Sequence, residues 1–430
     1  MGGGPAGSTA AALLARLGRK VILLEKAHHP RFHIGESLLP MNLPLFERLG
    51  VLDKVQAMGV FKPGADFEAD NDIGYNTFAF RRAIGNSPPH AYQVWRQDFD
   101  KMLFDHARAT GADGREGHEV VAVEQVSSRS SNVEVRVEDG RTYRITAQYV
   151  MDATGRDTFL SSKKRLRRKN GEHQSAAIFG HFRGAEYRPG EDAGNISIYR
   201  FDYGWIWMIP LPDGVMSVGA VCRPAYLKQR KGRTVEFLLE TLKQNEGVRK
   251  RIEHAELIGS EVRVTGNYSY DSTRMGGPGW ILVGDAFAFL DPVFSSGVFL
   301  AMSGAEQAAA VVDEALRQPE RESTLMRKLE KRLRGGMGRF SFFIYRFNGP
   351  VMTQMFGQPR NVWRLEQGVI SMLAGDLFDT PKVLWRLQLF KLVYAIAGLR
   401  DFKRWRAEHK YRLAQARAEF TDGDTPFDKA

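Results

Sequence analysis

The stretch Gly2-Gly3-Gly4-Pro5-Ala6-Gly7 at the start of the chain decides the fold. It satisfies the pattern G-x-G-x-x-G, in which glycines let the backbone approach a pyrophosphate at a helix N-terminus. A small-residue helix is predicted from Ala6 to Leu17 and a buried strand from Lys20 to Leu24. Glu25 follows this strand, where an acid accepts hydrogen bonds from ribose hydroxyls. The pattern therefore predicts a Rossmann-like dinucleotide site.

The composition indicates a large folded core and a basic surface. The chain has 430 residues, is 43% hydrophobic and carries a net charge of +11. Its single cysteine, Cys222, excludes an intramolecular disulfide, which fits a cytoplasmic location. No apolar run approaches the roughly 20 residues of a membrane helix, so no membrane span is expected.

The basic residues form clusters, one of them at 163–169 and others at 327–346 and 400–417. The first lacks interleaved aromatics and belongs to no recognisable nucleic-acid module, so no nucleic-acid partner is predicted. The basic surface suits an acidic partner or is simply solvated. No metal site is predicted either.

Strand patterns follow a second helix, predicted from Gln97 to Thr110, after an earlier one from Pro40 to Leu49. Two alternating segments flank Glu138-Asp139-Gly140 and predict a hairpin. Three further strands are expected at 195–201, 205–211 and 215–221, forming an antiparallel second layer.

After a strand at 280–283, a helix is predicted to begin near Ser296, and the chain is then mainly helical. The fold class is therefore α/β: a Rossmann-like nucleotide domain interleaved with an antiparallel-sheet substrate domain, plus a C-terminal helical region. The expected boundaries are 1–56, 96–165 and 270–318 for the first domain, 57–95 and 166–269 for the second, and 319–430 for the third. The aromatic residues of the third region are expected to pack helices, and they are Phe340, Phe342, Phe343, Tyr345, Trp363 and Trp385.

Two later segments identify the nucleotide as FAD. Asp152-Ala153-Thr154-Gly155 and the stretch 279–292, which contains Gly284-Asp285, resemble the aromatic-hydroxylase class of flavoproteins. In that class Asp285 would contact the ribityl or pyrophosphate region, and Arg96 would lie near the flavin. The strand that normally precedes the glycine fingerprint is missing, because the chain starts at Met1. We expect that the natural reading frame begins upstream and that restoring those residues raises flavin occupancy.

Three segments resemble the flavin-dependent halogenases. Trp205-Ile206-Trp207-Met208-Ile209-Pro210 matches the family signature W-x-W-x-I-P, and residues 289–297 match F-x-x-P-x-x-S-x-G. The third segment is Arg31 to Pro40, followed by Phe61-Lys62-Pro63-Gly64-Ala65. Both stretches closely resemble the phenol- and pyrrole-directed branch, which is related to the tryptophan halogenases, and Lys62 occupies the position of the family's essential lysine. The resemblance implies an enzyme that uses reduced FAD, oxygen and chloride or bromide to halogenate an aromatic ring.

The resemblance also assigns roles to individual residues. Lys62 would be catalytic, Trp205 and Trp207 would separate the flavin from the substrate, and Phe294 would line the substrate tunnel. Free backbone N–H groups of Ser296 and Gly297 would bind the halide at a helix start. The cofactor-binding residues would be Gly2, Gly4, Pro5, Ala6, Gly7, Glu25, Glu36, Ser37, Arg96, Gly284, Asp285 and Pro292.

One departure narrows the substrate. Tryptophan-directed halogenases carry a glutamate before the serine of the second motif, and this chain has Phe294 there. A phenol or pyrrole, free or attached to an acidic carrier protein, is therefore the expected substrate, and a separate flavin reductase the expected partner. The alternatives are an FAD monooxygenase or isoprenoid double-bond reductase on the same scaffold, and a catalytically silent flavin-binding subunit.

Overall fold

A computed structural model describes residues 1–170, 175–230, 232–259, 262–266 and 269–400, together with Arg406 and Lys410. It is a mixed helix and sheet protein, as the sequence predicts. Most of the basic segment 400–417 and the polar end of the chain lie outside the described residues.

The helices of the described part are α1 (Pro5–Arg16), α2 (Leu43–Leu49), α3 (Leu52–Met58), α4 (Arg96–Ala109), α5 (Phe159–Lys163), α6 (Pro224–Leu227), α7 (Thr234–Lys243), α8 (Glu246–Arg251), α9 (Gly297–Arg317), α10 (Glu322–Ile344), α11 (Pro350–Gly357), α12 (Leu365–Leu373) and α13 (Pro381–Arg400).

The strands are β1 (Ile22–Leu24), β2 (Val60–Lys62), β3 (Gly64–Glu68), β4 (Tyr75–Ala79), β5 (Ala91–Gln93), β6 (Asp113–Arg115), β7 (His118–Ser127), β8 (Ser130–Val137), β9 (Thr142–Ala147), β10 (Val150–Asp152), β11 (Arg167–Lys169), β12 (Ala176–Arg183), β13 (Ile196–Phe201), β14 (Gly204–Leu211), β15 (Val215–Cys222), β16 (Glu256–Leu257), β17 (Arg263–Thr265), β18 (Tyr270–Ser272), β19 (Gly276–Gly277), β20 (Trp280–Leu282) and β21 (Ala288–Phe289).

The predicted nucleotide domain contains two parallel strand pairs that the first residues of the chain connect, and β19 adds an antiparallel strand to the second pair. Strand β1 pairs with β6, and β10 pairs with β20. The amide of Gly2 donates to the Leu24 carbonyl at 2.7 Å, while the Met1 carbonyl accepts from the Ala153 amide at 2.9 Å. The Met1 ammonium also donates to the Met151 carbonyl at 2.9 Å. Met1 and Gly2 therefore lie between β1 and β10, and α1 begins directly beyond them.

The first helix and strand are close to their predicted positions. Helix α1 covers Pro5–Arg16, and β1 is shorter than predicted because it begins at Ile22. Lys20 is exposed and precedes the ladder with β6, which starts at the pair Ile22 and Asp113. The predicted helix from Pro40 to Leu49 begins with a 3₁₀ turn at Pro40–Asn42 and continues as α2.

The second layer is an eight-stranded sheet in the order β16-β12-β15-β14-β13-β3-β4, with β17 also paired to β12. Its three predicted strands are confirmed within one residue at each end. Successive side chains alternate between the two faces of such a sheet. Trp205 and Trp207 therefore pack with Phe179 on one face, whereas Ile206 and Met208 pack with Leu238 and other residues of α7 on the opposite face.

Two further features of this part of the chain match the sequence. The hairpin of β8 and β9 turns at the predicted Glu138-Asp139-Gly140 segment. Cys222, the last residue of β15, is fully buried, and burial raises the pKa of its thiol. The sole thiol of the chain is thus held protonated in the core.

The C-terminal helices differ from the prediction in one respect. Phe340 and Phe343 are buried between helices, as expected, but Trp363 and Trp385 are 66% and 48% exposed. The prediction that these two tryptophans pack helices is wrong. Trp363 lies in a kink with a φ of 52°, and Trp385 lies on the solvent-facing side of α13. No helix in the described ranges is long and apolar enough to cross a membrane.

Candidate active site

A cavity of about 430 Å³ lies where the two sheets meet the N-terminus of α1. Its size is typical of a cofactor or ligand site. The walls come from the glycine loop, the segment 31–37, the turn at 153–157, the aromatic face of β14 and the start of α9. Many residues that the sequence assigns to the cofactor line this cavity, and they are Gly2, Gly4, Pro5, Ala6, Glu25, Glu36, Ser37, Arg96, Asp285 and Pro292.

The glycine loop leaves no room for side chains at two positions. Gly2 has a φ of 94°, a conformation that favours glycine. A Cβ atom on Gly7 would lie 1.9 Å from the Gly2 carbonyl oxygen, so Gly7 packs against the loop and does not line the cavity itself. The loop and the first turn of α1 therefore form the cradle that a pyrophosphate requires.

Glu25 is held at the end of β1 by backbone donors. Its carboxylate accepts hydrogen bonds from the Gly3 amide at 2.7 Å and the Ala27 amide at 3.0 Å. Burial acts to raise the pKa of Glu25, but Arg31, at 3.3 Å, and these amides outweigh it, so the pKa lies below its usual value. The result is an ionised acceptor beside the loop, where ribose hydroxyls would bind.

Arg96 fixes the segment that forms the middle of the cavity wall. Its guanidinium donates to both carboxylate oxygens of Asp100, at 2.8 and 3.0 Å, and to the Ile34 carbonyl at 2.7 Å. Burial and the adjacent Arg96 together lower the pKa of His33 to about 4, so this histidine is neutral near pH 7. Asp100 was not singled out from the sequence, and Arg31 was quoted only as the first residue of the third family segment, without a role.

Asp285 carries an unused carboxylate at the cavity. It lines the wall, and no residue in the described part of the chain donates a hydrogen bond to its side chain. Burial raises its pKa to about 6 against the opposing fields of Arg156 and Arg96. Such an unsatisfied acceptor fits a ligand hydroxyl of the kind that FAD presents. Gly284, with a φ of 59°, allows the turn that places Asp285 there.

Trp205 and Trp207 form the aromatic part of the wall. Both are 4% exposed, and their ring centroids are 5.8 Å apart. The Trp207 indole donates to Ser217 Oγ at 3.1 Å, which fixes its ring. Together with Ile196 and Ile209, these two tryptophans form one wall of the cavity.

Lys62 is buried immediately behind this cavity. It is 1% exposed, and its Nζ donates to Ser37 Oγ at 2.8 Å and to the Leu38 carbonyl at 2.9 Å. Burial lowers the pKa of Lys62 to about 7. Ser37 lines the cavity and Lys62 does not, so the hydrogen bond to Ser37 connects the amine to the cavity wall. The neighbouring Glu36 also lines the cavity. Its carboxylate accepts a hydrogen bond from His181 at 2.7 Å, and this partner was not predicted from the sequence.

The predicted halide residues lie at the start of α9. Gly297 lines the large cavity, and Ser296 lines a smaller one beside it. The Ser296 side chain makes no capping hydrogen bond, and the backbone amides of Ser296 and Gly297 have no acceptor among the described residues. Ser295 precedes them in the left-handed conformation, with a φ of 56°.

Phe294 lies apart from the large cavity, in a set of buried rings that we call the phenylalanine cluster. Its ring centroid is 5.6 Å from that of Phe347 and 6.2 Å from that of Phe67. The members of the cluster are Phe67, Phe78, Phe294, Phe347 and Phe356. The role of Phe294 in lining the substrate tunnel stays a prediction.

Comparison with known proteins identifies the family. Residues 1–336 match the model of the FAD binding domain family. A flavin-dependent halogenase of Penicillium aethiopicum is 35% identical over 413 residues, covering 90% of this chain and 75% of the relative. The chain belongs to the flavin-dependent halogenase family. A 1H-pyrrole-2-carbonyl-[peptidyl-carrier protein] chlorinase of Pseudomonas fluorescens is 29% identical over 89% of this chain and 90% of its own length.

Solved structures agree with this family assignment. The myxobacterial chondrochloren halogenase superimposes with a TM-score of 0.76 at 30% identity, covering 96% of this chain and 95% of that one. A flavoprotein/dehydrogenase from Cytophaga hutchinsonii gives a TM-score of 0.84 at 27% identity, covering 93% and 98%. The chain spans 64 to 75% of the length of several fungal halogenases that it matches.

Proposed function

We propose that this protein is an FAD-dependent halogenase that uses reduced FAD, oxygen and chloride or bromide to halogenate a phenolic or pyrrolic ring. The observation that carries the proposal is the buried amine of Lys62, joined by Ser37 to the cavity that fits FAD. When bound, reduced FAD and oxygen supply the oxidising equivalent that converts the halide to hypohalous acid.

Lys62 is the group that transfers the halogen. Two of its N–H positions are directed to Ser37 and Leu38, and the remaining position is left for another partner. With a pKa of about 7, a large fraction of the amine is neutral at neutral pH and carries a nucleophilic lone pair. It either hydrogen-bonds hypohalous acid or reacts with it to give a haloamine and water. The aromatic ring then takes the halogen and releases a proton.

The other residues keep the reactants apart. Backbone amides of Ser296 and Gly297 hold the halide, which is an anion without directional demands. The rings of Trp205 and Trp207 exclude the organic substrate and bulk water from the flavin side. A small anion therefore meets the oxidant before the aromatic substrate does.

The substrate and partner proposals rest on more indirect support. Phe294 leaves no carboxylate at the position where tryptophan-directed enzymes carry one, which favours rings activated by their own hydroxyl or nitrogen. The name of the Pseudomonas relative describes a pyrrole held on a peptidyl carrier protein. We extend this to an acidic carrier for the present chain because its net charge is +11. A separate flavin reductase and a cytoplasmic location complete the proposal.

The decisive experiment supplies reduced FAD from a flavin reductase, with each halide and a mixture of free and carrier-bound phenols and pyrroles. Mass spectrometry of the products detects halogenation, and hydrogen peroxide is measured in parallel. Lys62→Ala is expected to abolish halogenated product and to leave hydrogen peroxide formation intact. Lys243→Ala, at an exposed position of α7, is the matched control. Oxygenated products from the wild type would favour a monooxygenase, and product unchanged by Lys62→Ala would remove the lysine from the mechanism.

A further inference from the structure

Two of the three nitrogens of the Arg200 guanidinium are buried without a partner among the described residues. They are Nε and Nη2, and both are inaccessible to solvent. Burial lowers the pKa of Arg200 to about 10, and the nearby Glu68 offsets only part of this effect. An unpaired charge in such a position lowers stability unless another group compensates for it.

The neighbouring polar groups do not provide that compensation. The Glu68 carboxylate accepts from the Arg200 backbone amide at 3.0 Å and from Asn245 Nδ2 at 2.5 Å, but not from the Arg200 guanidinium. Cζ of Arg200 lies 4.1 Å from the centroid of the Phe347 ring. The guanidinium of Arg251 is more nearly satisfied: it donates to Glu186, Ser197 and Tyr199 at 2.8 to 3.1 Å, and only its Nη2 is buried without a partner among the described residues.

The position of Arg200 relates it to the candidate active site. In the ladder of β13 and β14 it stands directly opposite Trp205, so their side chains share one face of the sheet. Trp205 lines the large cavity, and Arg200 does not. Arg200 contacts Phe347 of the phenylalanine cluster instead. The guanidinium thus contacts the phenylalanine cluster and does not line the cofactor cavity.

We infer that Arg200 binds an oxyanion of the organic substrate, either a carboxylate or the phosphate of a carrier protein's pantetheine arm. This inference rests on the proposed function, because the halogenase reaction places the substrate beyond the tryptophan wall. A guanidinium presents two parallel N–H donors, which match the oxygens of a carboxylate or phosphate. Cζ lies over the Phe347 ring, and the unpaired Nε and Nη2 are closed to solvent, so the ligand must displace the side chains that cover them.

The arrangement also indicates where the anionic group stands on the substrate. Lys62 lies over the Phe80 ring at 5.4 Å, whereas Arg200 lies over Phe347. Phe78 lies two residues before Phe80. The ring centroid of Phe356 is 5.3 Å from that of Phe78 and 5.8 Å from that of Phe347. The amine and the guanidinium therefore contact different rings, and we assign them to different parts of the substrate. The oxyanion belongs on a side chain or arm, at a distance from the carbon that is halogenated.

Two pairs of probes test this inference on the FAD-loaded protein. The first pair is 3-(4-hydroxyphenyl)propionate and its amide, and the second is the thioester of the same acid with phosphopantetheine and with pantetheine. Dissociation constants are measured by calorimetry for the wild type, Arg200→Lys and Arg200→Met. The wild type is expected to prefer the charged member of at least one pair by roughly tenfold or more. The pair that shows the preference identifies the source of the oxyanion.

The variants separate recognition from folding. Arg200→Met should abolish the preference without weakening the neutral probes, and Arg200→Lys, which keeps the charge without the fork, should retain part of it. Arg141→Met, at an exposed arginine paired with Asp139, is the matched control and should keep the full preference. FAD affinity and melting temperature verify that each variant is folded. If Arg200→Met does not fold, the preference of Arg200→Lys for the charged probes, compared with that of the wild type, decides.

Either of two outcomes overturns the inference: a wild type without preference in both pairs, or variants that weaken charged and neutral probes equally. The proposed function is judged separately, by halogenation of the neutral amide. If the wild type halogenates the amide but shows no charge preference, the enzyme remains a halogenase and only the role of Arg200 falls. If charge preference is found without any halogenated product, the proposed function falls instead.

Discussion

Ser37 Oγ lies 2.8 Å from Lys62 Nζ, and of these two residues only Ser37 lines the cavity that fits FAD. The Ser37 hydroxyl therefore connects the Lys62 amine to the wall of the cofactor cavity through a hydrogen bond. It also fixes the direction of the Lys62 side chain, since the only other acceptor in contact with Nζ among the described residues is the Leu38 carbonyl.

Ser37→Ala is expected to lower the rate of halogenation roughly tenfold to a hundredfold, because Lys62 loses the bond that orients it. Hydrogen peroxide formation should continue, so the ratio of halogenated product to peroxide falls. Both products are measured in the same reaction. Ser128→Ala, at an exposed position, serves as the control. An unchanged ratio would show that Ser37 does not position the lysine.

The low pKa of Lys62 predicts a pH-dependent stability. Its folded-state pKa of about 7 lies below the ordinary value of 10.5, because burial disfavours the charged form. Between these two values the unfolded chain binds the proton and the folded chain does not, so the free energy of unfolding rises with pH. Relative to Lys62→Met, the wild type should gain up to about 1.4 kcal/mol per pH unit above pH 7.

Urea denaturation of both proteins at pH 6.5, 7.5 and 8.5 measures this difference. Other titrating groups, such as Asp285, are common to the two proteins and cancel in the comparison. A difference that stays constant over this range would mean that Lys62 is protonated in the folded protein throughout.

Glu25→Gln is expected to weaken FAD binding roughly tenfold to a hundredfold. The amide removes the negative charge that Arg31 balances, and its NH₂ group would face the Gly3 or Ala27 amide, both of which are donors. Fluorescence titration of the flavin gives the dissociation constant. Glu240→Gln, an exposed substitution on α7, should bind FAD as the wild type does.

Two glycine substitutions are expected to have opposite effects. Gly7→Ala would place its Cβ 1.9 Å from the Gly2 carbonyl oxygen, so it should lower both stability and FAD occupancy. Gly338→Ala lies in α10 and would meet no atom within 4 Å, so it should raise the free energy of unfolding by about 0.5–1 kcal/mol. Thermal denaturation measures the two stabilities, and flavin absorbance measures the occupancy. Unchanged FAD occupancy in Gly7→Ala would contradict this assignment of the glycine loop.

The sequence predicts those parts of the site that a single backbone segment carries. The glycine loop, Glu25 and the turn before Asp285 follow from local strand-to-helix connections, and each can be found by its spacing. Arg31 with Asp100, and Glu36 with His181, meet only when distant segments come together. Their partners could not be identified without the fold.

The same limit explains the error at Trp363 and Trp385. Aromatic residues at helical spacing usually face a core, and periodicity alone does not indicate which side of a helix remains uncovered. At Trp363 the chain turns through a positive φ, and Arg386 donates to its carbonyl at 3.1 Å. That contact between α13 and the preceding turn holds the tryptophan outward, and it depends on tertiary structure.

Under the proposed function the protein generates hypohalous acid, and Cys222 then has a further consequence. Thiolates are among the groups that such an oxidant attacks first, and their reactivity requires both access and ionisation. The only sulfhydryl of this chain has neither, since it ends β15 inside the core and burial raises its pKa. In the proposed reaction the intermediate hypohalous acid therefore finds no ready thiol target on the protein, which favours many turnovers before self-inactivation.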